Sequence, residues 1–228
     1  MACCGVVKRR RNRIIAKGNG FVLPEISSVK RLFFALWPDP ETRAQCAAIA
    51  ATLKQPGHPV HPDNLHVTLV FLGGIDEASE MKLVEAAASI NFSRITINFK
   101  ALRYWHKPRI LCLIGEPEDS AAINLVNQLS TLAASLNIPV DERSYQAHVT
   151  LLRKTTQSPS LTFEPIIWRA DAFCLVESCA EPEGVVYRVL KTWQAPQIPD
   201  NADAETHAGL TNASGAIIID ATSSAHRP

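Results

Sequence analysis

The sequence has no Cys-x-x-Cys pair, although six of its 228 residues are cysteine: Cys3, Cys4, Cys46, Cys112, Cys174 and Cys179. Scattered single cysteines of this kind are expected to be reduced thiols in a cytosolic-type compartment. No apolar run approaches the roughly 18 residues that a bilayer-spanning helix needs, so no membrane association is expected. No apolar segment follows the basic stretch at the start, which predicts no secretory leader and a cytoplasmic protein. Net charge is also missing: the formal balance is +1. No global field therefore marks a nucleic-acid or membrane partner, although a local basic groove remains compatible with a near-neutral total. A glycine-rich phosphate loop is absent, and no serine sits in a nucleophile elbow. These absences set aside P-loop nucleotide binding and a covalent serine mechanism.

What is present divides into three regions. Residues 1–29 are basic, with "VKRRRNR" and no acid before Glu25. This head is expected to be a disordered extension, with a transit peptide or acylation of Cys3 and Cys4 as the targeting alternatives. Residues 30–195 alternate strand-like and helix-like patterns and form the expected domain. Residues 196–228 turn to Pro, Asn, Asp, Ala, Ser and Gly with one short apolar run. Such a tail buries too little apolar surface to offset its ordering entropy, so disorder is expected.

Within the domain, "RLFFALW" (31–37) predicts a strand. A helix follows over 40–54, with Asp39 as cap and Pro40 at its first position. A proline-rich loop leads to a strand over 65–72. Residues 76–90 predict a second helix, capped by Asp76, that buries Met81, Val84, Ala87 and Ala88. Strands are predicted over 94–102 and 109–115. A third helix over 119–136 carries Ala122, Val126, Leu129, Ala133 and Leu136 on one stripe. Further strands are predicted over 146–152, 172–178 and 185–193.

That order contains a duplication. Strand 31–37, helix 40–54 and strand 65–72 form one β-α-β unit, and strand 109–115, helix 119–136 and strand 146–152 form another. Each ends in the same tetrapeptide, His66-Val67-Thr68-Leu69 and His148-Val149-Thr150-Leu151. Strand side chains alternate faces, so His66 and Thr68 share one face, roughly 6–7 Å apart, and Val67, Leu69 and Phe71 take the other. His148 and Thr150 repeat this opposite Val149 and Leu151. If the halves pack with approximate two-fold symmetry, two imidazoles and two hydroxyls converge. One neutral imidazole can take a proton from water while one imidazolium gives a proton to a departing alkoxide. Threonine hydroxyls can hold phosphate oxygens. The constellation suits phosphodiester chemistry and calls for no metal and no cofactor.

Other residues compete for attention. His58, His61 and His66 lie close in sequence, but prolines prevent a helix that would align them, and zinc binding is not expected. His106 is expected in a loop. Phe34, Tyr104, Trp105 and Tyr187 are candidates for stacking a terminal base, against the core role that such residues more often have.

The paired His-x-Thr motifs, each followed by leucine, resemble the two-histidine (2H) phosphoesterases. Within them, "RLFFALWPDPETR", "HPDNLHVTLVFLG", "AHVTLLRK" and "VYRVLKTW" look like the RNA 2′,3′-cyclic phosphodiesterases, also called 2′-5′ RNA ligase-like proteins. The resemblance covers about residues 30–195. It implies a bilobal α+β fold of pseudo-two-fold symmetry, with two antiparallel sheets flanking a central cleft and helices outside. It implies metal-independent opening of a terminal RNA 2′,3′-cyclic phosphate to a 2′-phosphate, with reversible 2′-5′ ligation as the related use of the site. The implied partners are RNA 3′ ends or short oligonucleotides, bound by a monomer. His66 would be the general acid and His148 the general base, with Thr68, Thr150 and Arg153 on the phosphate. Strand parity disagrees with the last assignment, because Lys154 and not Arg153 shares the His148 face of a regular strand. The motif match favours Arg153. A non-catalytic RNA-end binding module, or an esterase for another small cyclic phosphate, are the alternatives.

Overall fold

A computed structural model of the chain describes residues 29–196 apart from 119, 142, 158 and 183. The expectations for the basic head and the polar tail lie outside the described residues. The first unit runs β1 (Lys30–Leu36), α1 (Pro40–Thr52), a two-residue strand β2 (His58–Pro59), a 3-10 turn (Pro62–Asn64) and β3 (Val67–Ile75). Then come α2 (Glu77–Ala87) and β4 (Ile95–Trp105). The second unit runs β5 (Ile110–Pro117), α3 (Ala121–Ser135) and β6 (His148–Arg153). The chain closes with β7 (Ile166–Ala170), β8 (Ala172–Glu181) and β9 (Gly184–Gln194).

Helix starts follow the expected chemistry. Asp39 accepts a hydrogen bond from the Thr42 amide at 2.7 Å, and Pro40 fills the first turn, where its missing N–H costs nothing. Asp76 accepts from the Ser79 amide at 2.8 Å to start α2. The buried face of α2 differs from the expected stripe. Leu83 and Ala87 are buried, Met81 is 63% exposed and Ala88 faces solvent. This helix leans on α3 through one narrow i, i+4 seam, so only that seam is covered. On α3 the expected stripe is buried at Ala122, Val126, Leu129 and Ala133.

Every strand pairing is antiparallel. The order is β7-β4-β5-β6-β3-β1-β8-β9, with β2 added beside β6. Two four-stranded halves meet at the centre, where β3 and β6 share the single pair Val67↔Val149. In place of two separate sheets, the strands thus form one nine-stranded sheet hinged at that pair. Strand β7, which sequence patterning missed, completes the outer edge of the second half against β4.

The main core spans both halves on the helix side. It contains Leu32, Phe34 and Leu36 of β1, Val67 and Leu69 of β3, and Val149 and Leu151 of β6. Helix α1 reaches from the first half to β6 and β7, and α3 reaches from the second half to β3. Two small clusters sit apart from this core. Phe33, Ala35, Cys174 and Val176 form one, with Trp37 and Tyr187 against it, and Ile110, Cys112 and Ile114 form the other, with Trp105 against it. They occupy matching register positions in the two halves, since Phe33 lies opposite Phe71 and Ile110 opposite Arg153.

Candidate active site

The antiparallel pairing at Val67↔Val149 sets the two tetrapeptides head to tail. Continuing that register brings His66 toward Thr150 and Thr68 toward His148. The same valines point into the core, fully buried, and hold both strands in place. Beyond the pair the strands part. A cavity of about 520 Å³ opens there, lined by Thr68 and Phe71 on one wall, Trp105, Lys107 and His148 on the other, and Val126 and Ser130 of α3 behind.

Each imidazole is held in the same way. His66 Nδ1 lies 2.7 Å from the Asn64 carbonyl oxygen, and His148 Nδ1 lies 2.8 Å from the Gln146 carbonyl oxygen. A carbonyl only accepts, so both rings carry their proton on Nδ1 and leave Nε2 as the working nitrogen. His66 Nε2 lies 3.0 Å from Thr68 Oγ1, which places the two polar residues of the motif on one face as expected. Thr150 Oγ1 lies 3.7 Å from the Cys112 sulfur, and burial pushes that thiol up to about 12, so it remains a protonated neighbour.

The amides that carry these carbonyls are anchored by their own side chains. Asn64 Nδ2 donates to the Val185 carbonyl at 2.7 Å, and Asn64 Oδ1 accepts from the Tyr187 amide at 3.2 Å. Gln146 Nε2 donates to the Gly115 carbonyl at 2.9 Å. Gly115 must be glycine, because a Cβ there would sit 2.4 Å from Ile97 Cγ2. An amide residue two places before each histidine is therefore part of both motifs. Sequence reasoning missed it, although "NLH" and "QAH" displayed it in matching positions.

Aromatic rings close around the imidazoles. Trp37 stacks on His66 at 5.7 Å, Phe33 lies at 5.0 Å and Tyr187 meets its edge at 4.9 Å. Trp105 lies 4.5 Å from His148. Of the four aromatic candidates, Trp105 and Tyr187 reach the site. Phe34 is fully buried in the core, and Tyr104 donates to the Thr155 carbonyl at 3.3 Å.

Burial lowers His66 to about 4, against the raising effect of its bond to the Asn64 carbonyl, and the charges of Arg153 and His148 lower it further. Burial also lowers His148, again with Arg153 adding to the effect. Both shifts favour the neutral form of the imidazole.

Arg153 stands on the site face after all. Leu111 pairs with Leu152 but Cys112 pairs with Thr150, so Leu151 is an extra residue in β6. Such a bulge reverses the alternation beyond it. Leu151 and Leu152 are both buried, and Arg153 joins His148 and Thr150 on the cleft side. Its guanidinium donates to the Tyr187 hydroxyl at 3.4 Å and, among the described residues, has no carboxylate partner. Phe71 requires the opposite correction. Phe34 pairs with Val70 but Ala35 with Thr68, so Leu69 is the matching bulge in β3. Val70 turns inward, and Phe71, expected in the core, is 41% exposed.

The three clustered histidines go separate ways. His58 pairs with Arg153 in β2, His61 Nδ1 accepts from the Asp63 amide, and His66 turns into the site.

Comparison with known proteins bears on the family and the fold. Residues 36–112, which include the first motif, match the family described as LigT like phosphoesterase. The RNA 2′,3′-cyclic phosphodiesterase of Escherichia coli K12 is 30% identical over 176 residues, covering 75% of this chain and all of that protein. A relative of the same name from Thermus thermophilus is 31% identical over 182 residues, covering 71% of this chain and 88% of that one. The crystal structure of Escherichia coli LigT in its apo form superposes with a TM-score of 0.67 at 30% identity, covering 75% of this chain and 100% of that one. With its two His-x-Thr motifs brought face to face on that shared fold, the chain belongs to the LigT-like phosphoesterases.

Proposed function

We propose that this protein opens terminal 2′,3′-cyclic phosphates of RNA to 2′-phosphomonoesters. The observation that carries the proposal is the mirrored pair of imidazoles, each with Nδ1 fixed on a backbone carbonyl, beside an Arg153 free of any carboxylate among the described residues. The name shared by the Escherichia coli and Thermus thermophilus relatives supports the substrate class.

In this reading the cyclic phosphate anion sits between the motifs. Thr68 and Thr150 donate to its non-bridging oxygens, and Arg153 balances its charge. Neutral His148 takes a proton from water through Nε2 as the water oxygen bonds to phosphorus. The P–O3′ bond breaks, and His66, protonated in the complex, gives its Nε2 proton to the departing 3′ oxygen. The 2′ ester is retained, and the two rings exchange protons with solvent to reset. With a 5′-hydroxyl attacking phosphorus in place of water, the same steps break P–O3′ and leave a 2′-5′ phosphodiester beside a free 3′-hydroxyl, which is ligation, and their reversal cleaves that bond. RNA 3′ ends are the partners, met by a cytoplasmic monomer whose residues 30–195 form the working domain.

One electrostatic feature favours a second assignment of roles. His66 is lowered to about 4, which makes it the harder ring to protonate, so His148 as acid and His66 as base is the rival arrangement. Both assignments predict that His66→Ala and His148→Ala each lower turnover by about 10²–10⁴ with thermal stability retained. Product analysis on an RNA ending in a 2′,3′-cyclic phosphate reads the reaction. Near-wild-type rates in either variant would overturn the proposal, and binding without turnover would make the protein an RNA-end module. A catechol cyclic phosphate separates the roles, because its phenolate leaves without a proton. The variant lacking the acid recovers on that substrate and the variant lacking the base does not.

A further inference from the structure

Each motif threonine begins a row of paired residues that crosses its half of the sheet. In the first half Thr68 pairs with Ala35 of β1, and Ala35 pairs with Cys174 of β8. In the second half Thr150 pairs with Cys112 of β5, and Cys112 pairs with Arg103 of β4. The pseudo-two-fold relation therefore gives Arg103 the address that Cys174 has in the other half. The chemistry at that address differs. Cys174 is buried, with its sulfur 3.4 Å from Thr192 Oγ1 of β9. Arg103 is exposed, and among the described residues its guanidinium has neither an ion pair nor a hydrogen-bond partner.

Strand alternation puts this guanidinium on the cleft side. Phe99 pairs with Gly115 but Ala101 with Ile114, so Lys100 is an extra residue in β4. Beyond that bulge Leu102 packs on the main core, while Ala101, Arg103 and Trp105 take the opposite face. Trp105 marks that face as the cleft wall, since it packs against Ile110, Cys112 and Ile114 and lies 4.5 Å from His148. Lys100, at the bulge itself, is neutralised by Glu116 at 2.6 Å, so the unpaired charge of β4 is the one on the cleft face. Two strand spacings, roughly 10 Å, separate Arg103 from Thr150. The residue between them, Cys112, is fully buried and uncharged. The row thus begins at a hydroxyl suited to phosphate and ends at a free cation, with an apolar floor between.

We propose that Arg103 binds the phosphodiester that links the terminal nucleotide to the one before it, so that the site selects RNA chains over free nucleoside cyclic phosphates. The proposal rests on the reading that the cyclic phosphate lies between His66 and His148. The terminal phosphorus and the linking phosphorus are joined through O3′, C3′, C4′, C5′ and O5′, and this sugar span follows the row from Thr150 to Arg103. An oligonucleotide carries the linking phosphate and a nucleoside cyclic phosphate lacks it. The contact therefore reads the presence of a chain and carries no sequence information. A guanidinium with no partner to give up makes a charge-assisted hydrogen bond to that phosphate without breaking an ion pair.

The experiment compares two dinucleotides that end in a 2′,3′-cyclic phosphate, one with a normal linking phosphate and one with an uncharged methylphosphonate there. The wild type prefers the charged link in kcat/KM, chiefly through KM. Arg103→Ala lowers that preference about tenfold, the scale of a hydrogen bond to a charged group, and Arg103→Lys restores part of it. A preference unaltered in Arg103→Ala overturns the proposal, as does one that vanishes in Lys107→Ala, the exposed lysine of the adjoining turn, and persists in Arg103→Ala. Calorimetric binding of the corresponding dinucleotides ending in a 2′-phosphate separates this proposal from the reading beneath it. If the wild type opens no cyclic phosphate yet its preference for the charged link depends on Arg103, the phosphate site stands and the hydrolytic reading falls. If it opens the cyclic phosphate and shows no Arg103-dependent preference, the phosphate site falls alone.

Discussion

At His66 and His148, burial and the nearby Arg153 guanidinium disfavour the charged ring, while each carbonyl at Nδ1 favours it. Burial prevails in both, so the protein by itself favours neutral rings. An anionic ligand between the rings reverses this balance, because its charge offsets that of Arg153 and stabilises an imidazolium. The bound state then holds more protons than the free state. By linkage, affinity for the 2′-phosphate product falls as pH rises from about 6 to about 8, the range in which a His raised toward or above its ordinary value titrates. Calorimetry in buffers of differing ionisation enthalpy should register net proton uptake on binding, and the variant lacking the proton-accepting ring should lose it. Proton release, or none, would mean that the acid is supplied by another group. The histidines and threonines were legible in the sequence, since an identical tetrapeptide in two matching units needs only strand alternation to interpret. Their depressed basicity was not, because it arises from rings contributed by β1, β4 and β9 that no local pattern connects to His66 or His148.

Among the elements, the loops that enter β3 and β6 carry the positioning work. Asn64 ties the 3-10 turn to the edge strand β9 with both ends of its amide, while its backbone carbonyl fixes His66. Tyr187, held on β9 by that same amide, touches the His66 ring and Arg153. Removing the Asn64 side chain frees β9 locally and loosens both contacts without removing a reacting group. Asn64→Ala should lower kcat by about tenfold, the scale of a misplaced but present catalytic group, and cost about 1 kcal/mol in stability for the lost hydrogen bonds. The ring nitrogen signals of His66, read by nitrogen NMR, should show loss of the pure Nδ1–H tautomer, which a purely structural role would leave alone. An unchanged tautomer with lowered kcat would place the effect elsewhere. The strands and helices of both units were readable from periodicity apart from the two-residue β2, expected as loop, and the edge strand β7 beyond them was missed as well. The bulges were not, since an alternation rule has no term for a register slip set by the partner strand. That single omission misplaced Phe71 in the core and made Lys154 compete with Arg153.

Across the whole described molecule, the halves' strands meet at the one pair Val67↔Val149 and at the two-residue β2 laid on β6, a narrow seam that alone would permit independent unfolding. The helices argue otherwise. Helix α1 follows β1 in the first half yet packs on β6 and β7, and α3 precedes β6 in the second half yet packs on β3. Each half thus covers the other's strands, and Leu32, Val67, Leu129, Val149 and Trp168 belong to one continuous core. Neither half could open without exposing apolar surface of its neighbour, at roughly 25 cal/mol per Å² of area returned to water. The duplication visible in the sequence shows where the halves lie but not that their helices cross, because an amphipathic stripe states which face is buried and not against what. A protein of two separable lobes would unfold in two steps, and the site between them would fail at the first. The crossed helices predict a single cooperative transition, with calorimetric and van't Hoff enthalpies equal and with the fluorescence of Trp105 and Trp168 in the second half coincident with a probe of the first. Leu129→Ala in α3 tests the coupling: it should destabilise by about 2–5 kcal/mol and shift both probes together. A shift confined to the second half's signal would show that the core is divided at the Val67–Val149 hinge.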